Sequence, residues 1–351
     1  MNSPLRIAAV GLEHDEIYRV LDRLRRHDAA NLVAIAERSG RLRMAAAGRY
    51  RVPVFPRLTP LLAETTVDAV LVATANGDKA AAIEEALRAG KHVIAHAPLA
   101  VSVAQFDAVA QVQAASGAGL LSLHPLRFTP AYVRLRELTA AGQFGAISQI
   151  VIINSQKVAA TPRTQAFYDS PTHGGILTSL AVHDIDVLRR LGGDLTVTES
   201  VTQCHGVTDY PNFEDAGVVR CTFARGGEGV VVCNWLALEA GEPFQELTFI
   251  GTEGTAWISG GKLRAMSEGL GSRLPVAMEN HVFVVTQSDP GGAAPVEATD
   301  QNAYDAVGSM LDDALATLGG DAVVREEATA DALQTARAAV QAQDAARQNR
   351  E

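Results

Sequence analysis

Apolar and polar positions along this chain keep one rhythm up to about residue 147 and another beyond it. In the first part, short apolar runs alternate with stretches of helical spacing. Strands are predicted at Leu5–Val10, Asn31–Ala36, Val52–Phe55, Val67–Ala73, His92–Ala95 and Gly119–Leu123. Helices are predicted at Asp15–Arg26, Arg41–Tyr50, Lys79–Ala89, Phe106–Ala115 and Pro130–Ala141. Val67–Ala73 is apolar enough for a central strand covered on both faces, and the alternation as a whole predicts an α/β doubly wound parallel sheet. From Ile147 strand-like runs follow one another: Gln149–Asn154, Thr196–Gln203, Ala216–Phe223, Gly229–Trp235, Gln245–Ile250, Thr255–Ile258 and His281–Val285. These predict an α+β unit built on an open-faced, mostly antiparallel sheet. Gly269–Thr299, rich in Gly, Pro and Ala, reads as long loops, and Asn302–Leu318 and Glu327–Arg347 close the chain as helices. The expected domains are 1–127 and 128–351.

One stretch of the second part stands out. His173 to Asp186 reads as a buried helix whose polar groups lie on one side. At about 100° per residue, Ser179, His183, Asp186 and Arg190 share a narrow stripe, while Ile176, Leu177, Leu180, Ile185, Val187 and Leu188 cover most of the remainder. Such a stripe faces a polar network or a wet cleft, because burying unpaired polar groups is costly. An imidazole with a carboxylate one turn on suits acid/base chemistry at neutral pH. The structural alternative is an i,i+4 pair between Asp186 and Arg190 with His183 as a satisfied core histidine.

Composition narrows the classes. A chain of 351 residues exceeds one ordinary core, which agrees with two domains. The net charge of −10 and the lack of a basic stripe argue against nucleic acid or an anionic membrane as partner. No run of 18 apolar residues and no signal-peptide pattern is present, so a cytoplasmic protein is expected. Cys204, Cys221 and Cys233 have no Cys-x-x-Cys spacing and read as core residues. His96, His124, His173 and His183 lack any dedicated metal-ligand spacing, so no metal is expected.

The turn after the first strand is where a dinucleotide-binding fold brings backbone close to pyrophosphate at a helix N-terminus. Here it reads Gly11-Leu12-Glu13-His14-Asp15-Glu16, with only the first glycine of the usual Gly-x-Gly-x-x-Gly. Its acidic residues oppose a pyrophosphate, although they also favour the helix dipole. Glu37 ends the second strand in the place of a ribose-binding acid, with Arg38 beside it; a solvated strand end is the alternative.

The chain resembles the Gfo/Idh/MocA family, that of glucose-fructose oxidoreductase and inositol dehydrogenase. Val10–His14, Val72–Asn76, Gly90–Ala100 and Gly174–Asp186 carry the resemblance, and Leu247–Gly254 is similar to the family's later strand and turn. The resemblance implies a Rossmann domain joined to an open-faced sheet domain, oxidation or reduction of sugars, inositols and related small molecules with NAD or NADP, and a homodimer or homotetramer formed through the second sheet. It implies cofactor contacts at Gly11, Leu12, Glu13, His14, Glu37, Arg38, Thr74, Ala75, Asn76, His96 and Pro98. The family's Glu-Lys-Pro falls on His96-Ala97-Pro98, so the lysine that orients or protonates the reacting hydroxyl is missing. Its aspartate falls on Ser179, while its histidine is kept at His183 and the later aspartate at Asp186.

Alanine exchanges no proton, so this site needs a substitute. His96, Lys157, His173 and Tyr168 are the candidates, and the expected catalytic set is His183, Asp186, His96 and Lys157. An NAD(P)-dependent dehydrogenase of a sugar-like or cyclic polyol is the first expectation. A non-redox lyase, isomerase or hydrolase using a histidine-lined cleft is the second, and a non-catalytic partner subunit the third.

Overall fold

The computed structural model describes residues 3–12, 15–158, 165–236, 244–259, 262–267, 282–285, 294–296 and 306–349. It divides into two compact units. The first comprises Met1–His124, Asp169–Gly174 and Val307–Val340, and the second Pro125–Tyr168, Gly175–Ala306 and Gln341–Glu351. The sequence boundary at 127 assigns Val307–Val340 to the second domain; these residues belong to the first unit.

In the first unit the chain runs β1 (Leu5–Val10), α1 (Asp15–Leu24), β2 (Ala30–Ala36), α2 (Gly40–Tyr50), β3 (Val54–Phe55), α3 (Leu58–Glu64), β4 (Ala69–Val72), α4 (Asn76–Arg88), β5 (His92–His96), α5 (Val103–Ser116) and β6 (Leu120–Leu123). The strands pair in the order β3-β2-β1-β4-β5-β6, all parallel. Every residue of β4 is buried, as its unbroken apolar run predicts. Ser102 caps α5 by accepting from the Gln105 N–H at 3.2 Å, and Gly117 ends that helix in the left-handed region at φ +63°. The sequence reading passes over α3 and starts α4 three residues late, at Lys79.

The second unit begins with a 3-10 turn at Pro125–Phe128 and α6 (Pro130–Ala140), followed by β7 (Ile147–Ser155). After α7 (Gln165–Tyr168) the chain passes through α8 (Ser170–His173), part of the first unit, and then returns. Next come α9 (Ile176–Ser179), α10 (Ala181–Gly192), β8 (Leu195–Gln203), β9 (Ala216–Phe223), β10 (Glu228–Asn234), β11 (Phe244–Gly251), β12 (Gly254–Ser259), β13 (Lys262–Ser267), β14 (Val282–Val285) and β15 (Ala294–Val296). The order is β15-β14-β13-β12-β11-β7-β10-β9-β8. The sheet is mixed, because β7 pairs with β10, and β13 with β14, in parallel. The chain closes with α11 (Ala306–Gly319) and α12 (Ala322–Gln348).

Along β9 buried and exposed positions alternate, with Val219, Cys221 and Phe223 in the core and Val218, Arg220 and Thr222 outside. Leu177 from α9, Leu188 from α10 and Leu180 between them pack into the same core. Cys221 and Cys233 are core residues as expected, whereas Cys204 is exposed past the end of β8.

The predicted single helix from His173 is in fact three short pieces. Gly174 and Gly175 have φ +99° and +83°, which interrupts the helix, and a second break falls at Leu180. A Cβ on Gly175 would lie 2.0 Å from Glu214 Oε2 and 2.5 Å from Gln343 Oε1. Those two oxygens accept from the Ile176 and Leu177 N–H groups at 3.2 and 3.0 Å, capping α9 from distant parts of the chain.

Candidate dinucleotide cleft and catalytic residues

At the point where the strand order of the first unit reverses, β1 has β2 on one side and β4 on the other. A cleft of about 130 Å³ opens there at the carboxyl ends of the strands, with Val10, Gly11, Glu37, Arg38, Thr74 and Asp78 among its lining residues. Gly11 stands at φ +83°, and a Cβ on it would lie 2.5 Å from the Thr74 nitrogen. Only glycine lets the first turn approach the end of β4 so closely. Thr74 Oγ1 is buried and has no hydrogen-bond partner among the described residues.

Glu37 is 4% exposed, and its carboxylate joins two segments. Oε2 accepts from the Leu12 N–H at 2.8 Å and Oε1 from the Ser39 N–H at 2.7 Å, tying the first turn to the start of α2. Arg43 donates to the Glu37 and Arg38 carbonyls at 2.8 and 3.0 Å. The Arg38 guanidinium is exposed and pairs with Asp78 at 3.1 Å. Glu13 and His14, expected beside a pyrophosphate, lie outside the described residues.

Ala75 is the N-cap residue of α4 and Asn76 its first residue. The Asn76 carboxamide donates to the His173 carbonyl at 3.1 Å and its oxygen accepts from Lys79 Nζ at 3.1 Å. His96 is the last residue of β5, half-buried, with Nδ1 3.0 Å from the Ala97 carbonyl oxygen. The Ala97–Pro98 peptide bond is cis.

In the second unit His183 is half-buried in the first turn of α10. Asp186, one turn on, is fully buried and receives Arg127 Nε at 2.8 Å and Nη2 at 2.5 Å, a two-pronged ion pair from the 3-10 turn. Arg127 between Pro125 and Pro130 carries no periodic signal and escapes a sequence reading. Ser179 Oγ donates back to the Gly175 carbonyl one turn earlier at 2.7 Å. Asp184, also passed over, is fully buried; its oxygens accept from Asn154 Nδ2 at 2.8 Å and Gln245 Nε2 at 2.6 Å. Burial pushes its carboxyl up to about 7, against the opposing pull of those two bonds.

Lys157 is exposed at a bridge to Leu236, past the end of β7. Tyr168 stacks on Tyr210 with ring centroids 4.6 Å apart. Among the described residues no three His, Cys, Asp or Glu side chains form a group able to hold a metal ion, and no helix is long and apolar enough to cross a membrane.

A parallel sheet with a ligand cleft at its switch point, closed by a glycine at the first turn and an acid at the end of β2, defines a dinucleotide-binding protein. Residues 5–123 match the oxidoreductase family with an NAD-binding Rossmann fold, and residues 132–257 match the GFO/IDH/MocA C-terminal domain. The chain belongs to the Gfo/Idh/MocA family, and its first unit is that family's NAD-binding Rossmann domain. It is 27% identical to an inositol 2-dehydrogenase of Rhizobium meliloti over 206 residues, covering 58% of this chain and 60% of that one. It is 34% identical to a 1,5-anhydro-D-fructose reductase of Ensifer adhaerens over 133 residues, covering 37% and 39% of the two chains. The matches thus span between about two fifths and three fifths of these relatives. An oxidoreductase of Agrobacterium radiobacter, solved with NAD+, L-tartaric acid and magnesium, shares the fold with a TM-score of 0.75 at 16% identity, covering 98% of this chain and 97% of that one.

Proposed function

We propose that this chain is an NAD-dependent dehydrogenase or reductase of a sugar-like or cyclic polyol. The observation that carries the reading is Glu37, a nearly buried carboxylate held by two backbone N–H groups at the mouth of the switch-point cleft. A carboxylate there accepts from ribose hydroxyls and repels a 2′-phosphate, so NAD is the preferred cofactor. Gly11 allows the backbone approach, and the Thr74 hydroxyl in the cleft, without a hydrogen-bond partner among the described residues, suits a polar ligand. The inositol and anhydrofructose activities in the relatives' names support the substrate class. When bound, the nicotinamide supplies the hydride acceptor or donor.

The chain's own residues then manage the proton. His183 takes it from the reacting hydroxyl, or returns it in the reverse direction. Asp186 acts through Arg127, whose two bonds immobilise the base of the helix turn that carries His183. Lys157 has no part in this scheme, because its ammonium sits in solvent. The outer face of β8 and β9, where Val201 and Val218 are paired in register and each 40% exposed, supplies a homo-oligomer contact. Light scattering that reports a monomer at working concentration removes that part.

The alanine at 97 favours a second reading, a non-redox enzyme or a partner subunit on the same scaffold. The test is NAD+ reduction followed at 340 nm across a panel of inositols and aldoses, with His183→Ala as control. Turnover that requires NAD+ and falls about 10²- to 10⁴-fold in the variant is expected. Chemistry in nucleotide-stripped protein contradicts the reading.

A further inference from the structure

The turn at His96-Ala97-Pro98 lacks its own lysine, yet a lysine reaches it from another element of the same unit. Lys79, on the first turns of α4, is fully buried. Its Nζ donates to Asn76 Oδ1 at 3.1 Å and to the Ala97 carbonyl at 3.3 Å. The same carbonyl lies 3.0 Å from His96 Nδ1. A carbonyl oxygen only accepts, so that hydrogen bond requires the proton on Nδ1. Asn76 donates in turn to the His173 carbonyl, which fixes the carboxamide with its oxygen toward Lys79. One amine thus joins the segments after β4 and β5 and, through Asn76, the residue that ends α8.

Packing does not call for this group. A methionine of similar length would fill the space without a buried charge, and the hydrogen-bond partners of Nζ are neutral. Burial alone drives the Lys79 amine down to about 7. Either protonation form keeps enough N–H bonds for both acceptors. A costly side chain kept at the carboxyl end of a parallel sheet points to a ligand site more than to stability.

We propose that Lys79 is a positioning residue for His96: by donating to the Ala97 carbonyl it fixes the acceptor that holds the imidazole with its proton on Nδ1. What His96 then does rests on the dehydrogenase reading; how it is held does not.

The test is ¹⁵N-edited NMR of the histidine side chains in the full-length protein, with the His96 signals assigned by their loss in His96→Gln. The wild-type spectrum is expected to show His96 protonated on Nδ1. In Lys79→Met, checked for folding by circular dichroism, the Nδ1–H to Nε2–H ratio falls about fivefold, the size of one loosened hydrogen bond. A wild-type His96 protonated on Nε2 overturns the proposal without recourse to any variant, and so does a folded Lys79→Met whose His96 signals are unchanged. A parallel NADH titration of the wild type keeps the two readings apart. Failure to bind nucleotide sinks the dehydrogenase, whereas an unmoved tautomer sinks the role of Lys79.

Discussion

The two units solve the problem of a buried charge in opposite ways, and the comparison separates stability from function. In the sheet unit Asp186 is closed by the guanidinium of Arg127, an ion pair buried with its hydrogen bonds made. In the Rossmann unit Lys79 is equally buried, and its hydrogen bonds go to a carboxamide and a peptide carbonyl. Asp184, two residues before Asp186 on the same helix, matches Lys79 in kind, with a carboxylate held by the amides of Asn154 and Gln245. Paired charge locks a structure, whereas charge solvated by neutral amides leaves the group able to titrate near neutrality. Burial puts both Lys79 and Asp184 at about 7.

Removing one member of the true pair has the largest effect. Arg127→Met strands the Asp186 carboxylate and is expected to cost about 3–5 kcal/mol in urea unfolding. Trp235 and Trp257 both belong to the sheet unit, so tryptophan fluorescence reads that loss directly. A loss below about 1 kcal/mol would place Asp186 with the amide-held charges instead.

The amide-held groups come next, and their signs are opposite. Asp184 binds its proton more tightly folded than unfolded, so its contribution falls as pH rises from 3.8 to about 7. Lys79 binds its proton more weakly folded, so its contribution rises with pH between about 7 and 10.5. Stability from these two groups therefore passes through a trough near neutrality, with limbs of roughly 4–5 kcal/mol at most. Asp184→Asn flattens the acid limb in tryptophan fluorescence, and Lys79→Met flattens the alkaline limb in circular dichroism while raising stability at pH 7. A Lys79→Met protein less stable at pH 7 than wild type would break the comparison, because the lysine would then be supporting the fold.

Glu37→Ala has the smallest predicted effect. The Leu12 and Ser39 N–H groups lose their acceptor, and NADH affinity is expected to fall about 10- to 100-fold, or roughly 1.4–2.7 kcal/mol. Unchanged NADH affinity would reduce Glu37 to a brace for the first turn.

Local pattern carried most of the architecture. Apolar runs alone located the central Rossmann strands, because strands buried on both faces leave an unbroken signal. The seven-residue α3 and the three-residue β15 are too short for periodicity to register. The helix from His173 reads as continuous in sequence because its first break is capped by Glu214 and Gln343, residues far along the chain. The same distance hid the charges. Lys79 in Asn76-Gly77-Asp78-Lys79 looks like a solvated helix start, and its burial depends on a carbonyl 18 residues away. Asp184 is held by residues 30 and 61 positions away, and no spacing rule reaches that far. His183 and Glu37 can be singled out from one element each, at the start of a helix and the end of a strand.

The most direct test of the central claim is a fluorescence titration of the nucleotide-stripped protein with NADH and with NADPH. Saturable binding of NADH, tighter than NADPH by about tenfold or more, is the predicted result, since under the proposed function the Glu37 carboxylate would face a ribose hydroxyl in one and a phosphate in the other. A folded protein that binds neither nucleotide would contradict the account.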